Sequence, residues 1–267
     1  MLAEIAYPHI DPVLFHVTGP LALRWYGFMW VVGYIAAWAT LYGLARRGRL
    51  PMTPAHAGDF ITWIAVGTIV GGRVGDVFFY RPDLLLTPSR VFRVWEGGMS
   101  FHGGILGVAL AGWLFSRYRA KCSLWEMCDG MALATPVGIF TGRIANFINS
   151  ELYGRVTESP LGMVFPGGGP LPRHPSQLYE AFLEGLVLFL VLLWFARRRE
   201  NFERTGFLGG VFLAGYGIAR PVAEFFREPD AHIGFLTVGT TMGQWLSLPL
   251  LIAGIWLVVR SRKNVAA

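Results

Sequence analysis

The sequence predicts an all-α polytopic membrane protein with about seven transmembrane helices, and three observations carry that prediction. The 267 residues are 54% hydrophobic and only 15% charged, with a mean hydropathy of +0.46, whereas soluble domains carry about 25% charged residues. Seven stretches reach the length of about 20 mostly apolar residues that a spanning helix needs: 22–45, 58–79, 98–117, 125–147, 178–196, 206–227 and 238–259. The basic residues between them are dense in every second connection. No long polar segment is left over, so residues 1–267 read as a single integral membrane domain.

Taken in order, the spans differ in what they carry. Span 1 opens with Arg24 and Tyr26, and span 2 holds Arg73 and Asp76 toward its end. Span 3 begins with Phe101-His102-Gly103-Gly104. Span 4 runs into Gly142-Arg143-Ile144-Ala145-Asn146-Phe147-Ile148-Asn149-Ser150-Glu151-Leu152-Tyr153-Gly154. Span 5 opens with Glu180 and Glu184 and is apolar beyond them. Span 6 repeats Tyr216, Arg220 and Glu224 at four-residue intervals, which is one helical stripe. Span 7 is cleanly apolar.

Orientation follows from Lys and Arg. The connections holding Arg46, Arg117, Arg197 and Arg260 with their basic neighbours, Arg262 and Lys263 among them, carry thirteen such residues. The opposite connections carry five: Arg81, Arg90, Arg93, Arg155 and Arg173. That bias places the first set in the cytoplasm, the N-terminus outside and the C-terminus in the cytoplasm. Of the outer connections, 80–97 mixes basic residues with Leu84, Phe92 and Trp95, as an interfacial segment does. The other, 148–177, contains Pro166-Gly167-Gly168-Gly169-Pro170, a loop signal. Together they are expected to form a small periplasmic cap.

Several classes are disfavoured. The net charge of +6 is distributed as membrane-flanking clusters, so no nucleic-acid partner is expected. Residues 1–20 contain no Lys or Arg, against a cleaved signal peptide. Cys122 and Cys128 lack metal or redox spacing and read as small buried residues. No metal and no cofactor is expected. The absence of internal repeats argues against a transporter built from repeated halves. An intramembrane protease fits poorly as well, because Gly75-Asp76 has Arg73 where an aspartyl motif needs glycine.

With direction assigned, the costly groups gather in the outer half of the membrane. An arginine at bilayer depth costs at least about 2.5–3.5 kcal/mol on insertion scales, so it persists only against protein, a watery cavity or a charged ligand. Arg73, Arg143 and Arg220 exceed what a neutral ligand needs, and guanidinium forks match phosphate oxygens. A phospholipid headgroup is the natural ligand. Arg73–Asp76 reads equally as a register-fixing ion pair. His102 has the chemistry of a proton acceptor near neutral pH, or of a neutral core histidine joining helices. Gly103 and Gly104 allow close backbone approach. Asn146 and Asn149 suit phosphate donors or interhelical amides, and Gly142 and Gly154 suit tight packing or a helix stop. His174 reads as loop packing or function, and Ser176 as a helix cap.

The thirteen-residue segment, with Phe101–Gly104, Arg173-His174-Pro175-Ser176-Gln177-Leu178-Tyr179-Glu180 and Tyr216-Gly217-Ile218-Ala219-Arg220 through Glu224, resembles the bacterial prolipoprotein diacylglyceryl transferases over essentially the whole chain. The resemblance implies transfer of the diacylglyceryl group of phosphatidylglycerol to the lipobox cysteine in a prolipoprotein signal peptide. It also implies residence among the lipids of the bacterial cytoplasmic (inner) membrane. In that reading Arg143 and Arg220 hold the phosphate, and His102 and Tyr26 line the catalytic cavity. Asn146, Glu151, Gly154, Tyr216 and Glu224 are essential or supporting positions.

The fork argument makes a test. Arg143→Lys keeps the charge but loses the bidentate geometry, so phosphatidylglycerol turnover should fall about 10- to 100-fold, the equivalent of about 1.5–3 kcal/mol of charged hydrogen bonding. Undiminished turnover in a lipid-to-peptide transfer assay would remove the fork from the account.

Overall fold

The computed structural model describes residues 5–18, 21–93, 97–229 and 234–265. Of the residues named above, Trp95 and the side chains of Arg262 and Lys263 lie outside the described set. The described chain is mostly helical: α1 Trp25–Arg46, α2 Pro54–Phe79, α3 Phe101–Leu114, α4 Leu124–Ile148, α5 Ser176–Ala196, α6 Phe207–Glu224 and α7 Met242–Val265. Five of these, α1, α2, α4, α5 and α7, are long and apolar enough to cross a membrane. The stretches expected as spans 3 and 6 are shorter or more polar. Helix α3 is regular for 14 residues before the wider π turns of Phe115–Ala120, and the 18 residues of α6 include Arg220 and Glu224.

One element departs from the all-α expectation. A hairpin of β1 Val13–Thr18 and β2 Leu21–Arg24 pairs antiparallel and leads directly into α1.

Two compact units are distinguishable, Met1–Thr40 with Cys128–Ala267, and Leu41–Met127. In the second unit, α2 and α3 meet along stripes of small residues. Gly67, Gly71 and Gly75 face Gly103, Gly107 and Ala111, and a Cβ on Gly71, Gly103 or Gly107 would collide with a backbone carbonyl of the opposite helix. Small residues at four-residue spacing let helix backbones touch, which matters where lipid supplies no hydrophobic drive between helices. Gly103 therefore serves helix packing. Gly104 has room for a Cβ, which would meet Thr68 O at an ordinary contact distance of 3.9 Å. Ser100 caps α3, its Oγ accepting from Gly103 N at 3.1 Å.

Arg73 is organised by the segment beyond α2. Its guanidinium donates to the carbonyls of Val91 (2.7 Å), Gly97 (2.7 Å), Gly98 (3.1 Å), Arg90 (2.6 Å) and Arg93 (3.3 Å), with Asp76 3.7 Å away. Asp76 instead takes a double contact from Arg81, at 2.9 and 2.5 Å. Gly98 sits beside that pair at φ +82°, where a Cβ would strike the Arg81 guanidinium. The role of Arg73 is thus to bind a loop by its backbone.

In the first unit, α6 and α7 also approach through small residues, with Gly210 and Gly217 against Gly254 and Leu251. The start of α6 is held by buried Asp129, which accepts from Gly206 N at 2.6 Å and Gly209 N at 2.8 Å. A carboxylate there satisfies orphan amides and complements the helix dipole. Beyond α4, Tyr7, Phe147 and Phe165 form a small core with Tyr153, Met163 and Leu178. The Tyr7 hydroxyl donates to the carbonyls of Phe147 (2.7 Å) and Ile148 (3.0 Å), which close the end of α4.

The glycine stripe predicts a contrast between adjacent residues. Gly107→Ala should lower thermal stability in detergent by about 1–3 kcal/mol through overpacking. Gly104→Ala should be neutral or stabilising, since it gains helix propensity of up to about 1 kcal/mol. Equal effects of the two would contradict the close backbone contact.

Candidate active site

Three helices of the first unit bring their charges to one point. Glu180 and Glu184 lie one turn apart on α5, and from Ala181 to Val187 that helix widens into π turns, a local form frequent at functional sites. Both carboxylates are 0% exposed. Glu180 Oε2 lies 2.7 Å from Arg143 Nε of α4 and 3.1 Å from Arg220 Nη1 of α6. Glu184 is held more loosely, with Oε1 3.4 Å from Arg220 Nη1 and Oε2 3.8 Å from Arg143 Nη2. Arg220 also pairs with Glu224 one turn on, and Arg227 approaches Glu224 at 3.7 Å. Tyr216, one turn before Arg220, is within electrostatic reach of Glu184, Arg220, Arg143 and Glu180.

Packing holds this arrangement. A Cβ at Gly185 would lie 2.7 Å from the Phe140 side chain, so α5 sits directly on α4. Gly243 at the start of α7 lies against the Glu224 carboxylate, with no room for a side chain. Arg143 keeps 19% of its side chain exposed, against 10% for Arg220. Arg143 is therefore the guanidinium with the more open face.

The end of α4 forms a second, connected feature. Asn146 Nδ2 donates to Glu151 Oε1 at 2.7 Å and Asn149 Nδ2 to the same oxygen at 3.4 Å. The helix stop expected at Gly154 is made earlier, by Ser150 at φ +55°. Glu151 and Leu152 then accept from the side chains of Gln177 (2.6 Å) and Ser176 (3.0 Å), tying the signature segment to the start of α5. Gly154 donates its N–H to His174 O at 2.8 Å and passes so close to Phe226 O and His174 that a Cβ would clash. Its glycine is required by a close crossing. His174 packs between the rings of Tyr179 and Phe226, and burial pushes its imidazole down from the ordinary value. Arg155 donates to the carbonyls of Arg227 (2.8 Å) and Glu224 (3.1 Å), capping the end of α6.

Of the residues singled out from sequence, Arg143, Tyr216, Arg220 and Glu224 belong to the charged cluster. Asn146, Glu151 and Gly154 build the adjoining turn and crossing. Tyr26, 40% exposed in the first turn of α1, has its ring against Trp30. His102, Gly103 and Gly104 stand in the other unit, where His102 is exposed at the first turn of α3 beside Phe101. Sequence reasoning noted Glu180 and Glu184 only as the opening of a span. Their four-residue spacing matches that of Tyr216, Arg220 and Glu224, so the sequence put each set on one helix face without showing that the two faces meet.

Removing one partner of a buried ion pair typically costs about 3–5 kcal/mol, because the other charge is left uncompensated. Glu180→Ala should therefore destabilise the folded protein by about that amount, while Glu184→Ala costs less, as its contacts are longer. Thermal unfolding of the two purified variants in detergent checks the order. A reversed order would show that Glu180 is not the bridge.

The family model for prolipoprotein diacylglyceryl transferase matches residues 12–260. Among curated relatives, a protein of Paramagnetospirillum magneticum is 51% identical over 260 residues, covering 97% of this chain and 96% of the relative. One from Idiomarina loihiensis is 49% identical over 261 residues, covering 97% and 96%. One from Rhizobium meliloti is 48% identical over 276 residues, covering 100% and 97%. Each of these relatives is named phosphatidylglycerol–prolipoprotein diacylglyceryl transferase. The chain belongs to the prolipoprotein diacylglyceryl transferase family.

Proposed function

We propose that this chain transfers the diacylglyceryl group of phosphatidylglycerol to the thiol of the lipobox cysteine of a prolipoprotein, forming a thioether and releasing glycerol 1-phosphate. This is the first step of bacterial lipoprotein maturation. The observation that carries the reading is a pair of arginines sharing one carboxylate between helices, Arg220 buried and Arg143 partly exposed, in a chain about half identical to proteins named for that reaction.

The reaction sets three demands. A thiolate rather than a thiol must attack the glyceryl carbon, and a free cysteine ionises only near pH 8.5, so a base is needed. The carbon–oxygen bond to phosphate breaks as the carbon–sulfur bond forms, and the leaving phosphate takes the electron pair. That charge needs preorganised donors. We assign the base to His102 and the phosphate contacts to Arg143 and Arg220, with Tyr26 in the catalytic machinery. Glu180, Glu184 and Glu224 orient the guanidiniums. Asn146, Glu151 and Gly154 shape the turn beside Arg143, and Tyr216 adds a hydroxyl near the cluster. Gly104 leaves room for substrate at the first turn of α3, where Gly103 is engaged in packing.

The same reading places the chain in the bacterial cytoplasmic membrane as a single integral domain of seven spans, α3 with its π turns and α6 included. Its N-terminus and active site face the periplasm and its C-terminus the cytoplasm. Its partners are phosphatidylglycerol, the lipobox peptide and the surrounding lipids, and no nucleic acid.

The assay mixes purified protein with labelled phosphatidylglycerol and a lipobox peptide. A thioether-linked mass gain on the peptide cysteine is expected. Peptide cleavage, or lipid movement without transfer, would overturn the reading. His102→Ala should lower turnover by about 10²–10⁴-fold, the usual worth of a positioned base. Full turnover in that variant would move the base elsewhere.

A further inference from the structure

The two arginines assigned to phosphate are already occupied. Arg143 and Arg220 share Glu180 Oε2 at 2.7 and 3.1 Å, and Arg220 also holds Glu224. A phosphate that docks on the open face of Arg143 and reaches Arg220 draws guanidinium charge away from these carboxylates. Glu184 is the most loosely held, by one long bond of 3.4 Å and an approach of 3.8 Å. Its Oε2 has no hydrogen-bond partner among the described residues, and the side chain is wholly buried.

A carboxylate released from its cations inside the protein does not stay charged. Ionised groups without a partner in an apolar interior neutralise by exchanging a proton. The groups facing Glu184 are Arg143 from α4, Arg220 and Tyr216 from α6, and Glu180 one turn earlier on α5. Glu224 competes with it for Arg220. Once a phosphate monoanion neutralises part of the arginine charge, Glu180 and Glu184 face one another as two anions sharing less cation. Like charges at one site disfavour double ionisation. Glu180 keeps the shorter contacts, so the proton goes to Glu184.

Resting on the reading that Arg143 and Arg220 hold the phosphate, we propose that Glu184 is the proton-exchanging carboxylate of the cluster. It takes up a proton from solvent when the phosphate of phosphatidylglycerol binds, and returns it when glycerol 1-phosphate leaves. No bond other than the oxygen–hydrogen bond of the carboxyl group is made or broken in this step. Glu184 acts here as a positioning residue, since its protonation frees guanidinium donors for the lipid.

The experiment titrates full-length protein in detergent with an ether-linked phosphatidylglycerol, without peptide. Calorimetry in buffers of different ionisation heat near neutral pH reads the protons exchanged. Binding should bring uptake of about one proton per lipid, by linkage of the two equilibria. Glu184→Gln should bind the lipid with no uptake, and Glu184→Asp, which keeps a carboxyl group, should retain it. Wild-type binding without uptake, or uptake unchanged in Glu184→Gln, overturns the inference and leaves the phosphate reading standing. Lipid affinity undiminished in both Arg143→Gln and Arg220→Gln overturns the phosphate reading itself. The wild-type measurement needs no variant to fold.

Discussion

One carboxylate oxygen, Glu180 Oε2, joins three helices by meeting Arg143 of α4 and Arg220 of α6. Desolvating each of these ions costs several kcal/mol, and only close pairing inside the protein offsets it. The constraint runs in both directions. The helices must pack closely enough to bring the charges together, and a shift that parted the charges would leave them buried without partners. Gly185 against Phe140 and Gly243 against the Glu224 carboxylate supply that closeness. The turn after α4, fixed by Asn146 and Glu151, and the crossing at Gly154 then carry the signature segment back to the start of α5.

The second unit applies the same rule with different partners. Its helices α2 and α3 touch along glycines, and the buried Arg73 is satisfied by backbone carbonyls. In an apolar setting an unpaired guanidinium is too costly to keep, so each buried arginine must be judged by what engages it. Arg73 is engaged by a loop. Arg143 and Arg220 are engaged by carboxylates.

Much of this was legible in the sequence, and the physical reasons for the rest are specific. Apolar length marked the helices, and the cost of charge in lipid marked Arg143, Arg220 and Glu224 as paired or functional. The stripe of Tyr216, Arg220 and Glu224 appeared as one face because helical periodicity determines it. The bridge to Glu180 was not legible, since pairing across helices depends on their packing, and two arginines with three glutamates allow several combinations. Arg73 was left open between an ion pair and a functional role for a related reason: its acceptors are main-chain carbonyls of residues 90–98, and a carbonyl leaves no mark in residue identity. The hairpin before α1 was hidden within a segment read only for its lack of basic residues.

In the proposed reaction Arg143 and Arg220, held ready by Glu180, receive the lipid phosphate. The most direct measurement is an experimental structure of the protein with ether-linked phosphatidylglycerol bound. The account predicts phosphate oxygens within hydrogen-bond distance of the Arg143 guanidinium, with Arg220 contributing from the adjoining helix and the Glu180 bridge retained. A headgroup seated elsewhere, with both arginines still engaged only by carboxylates, would contradict it.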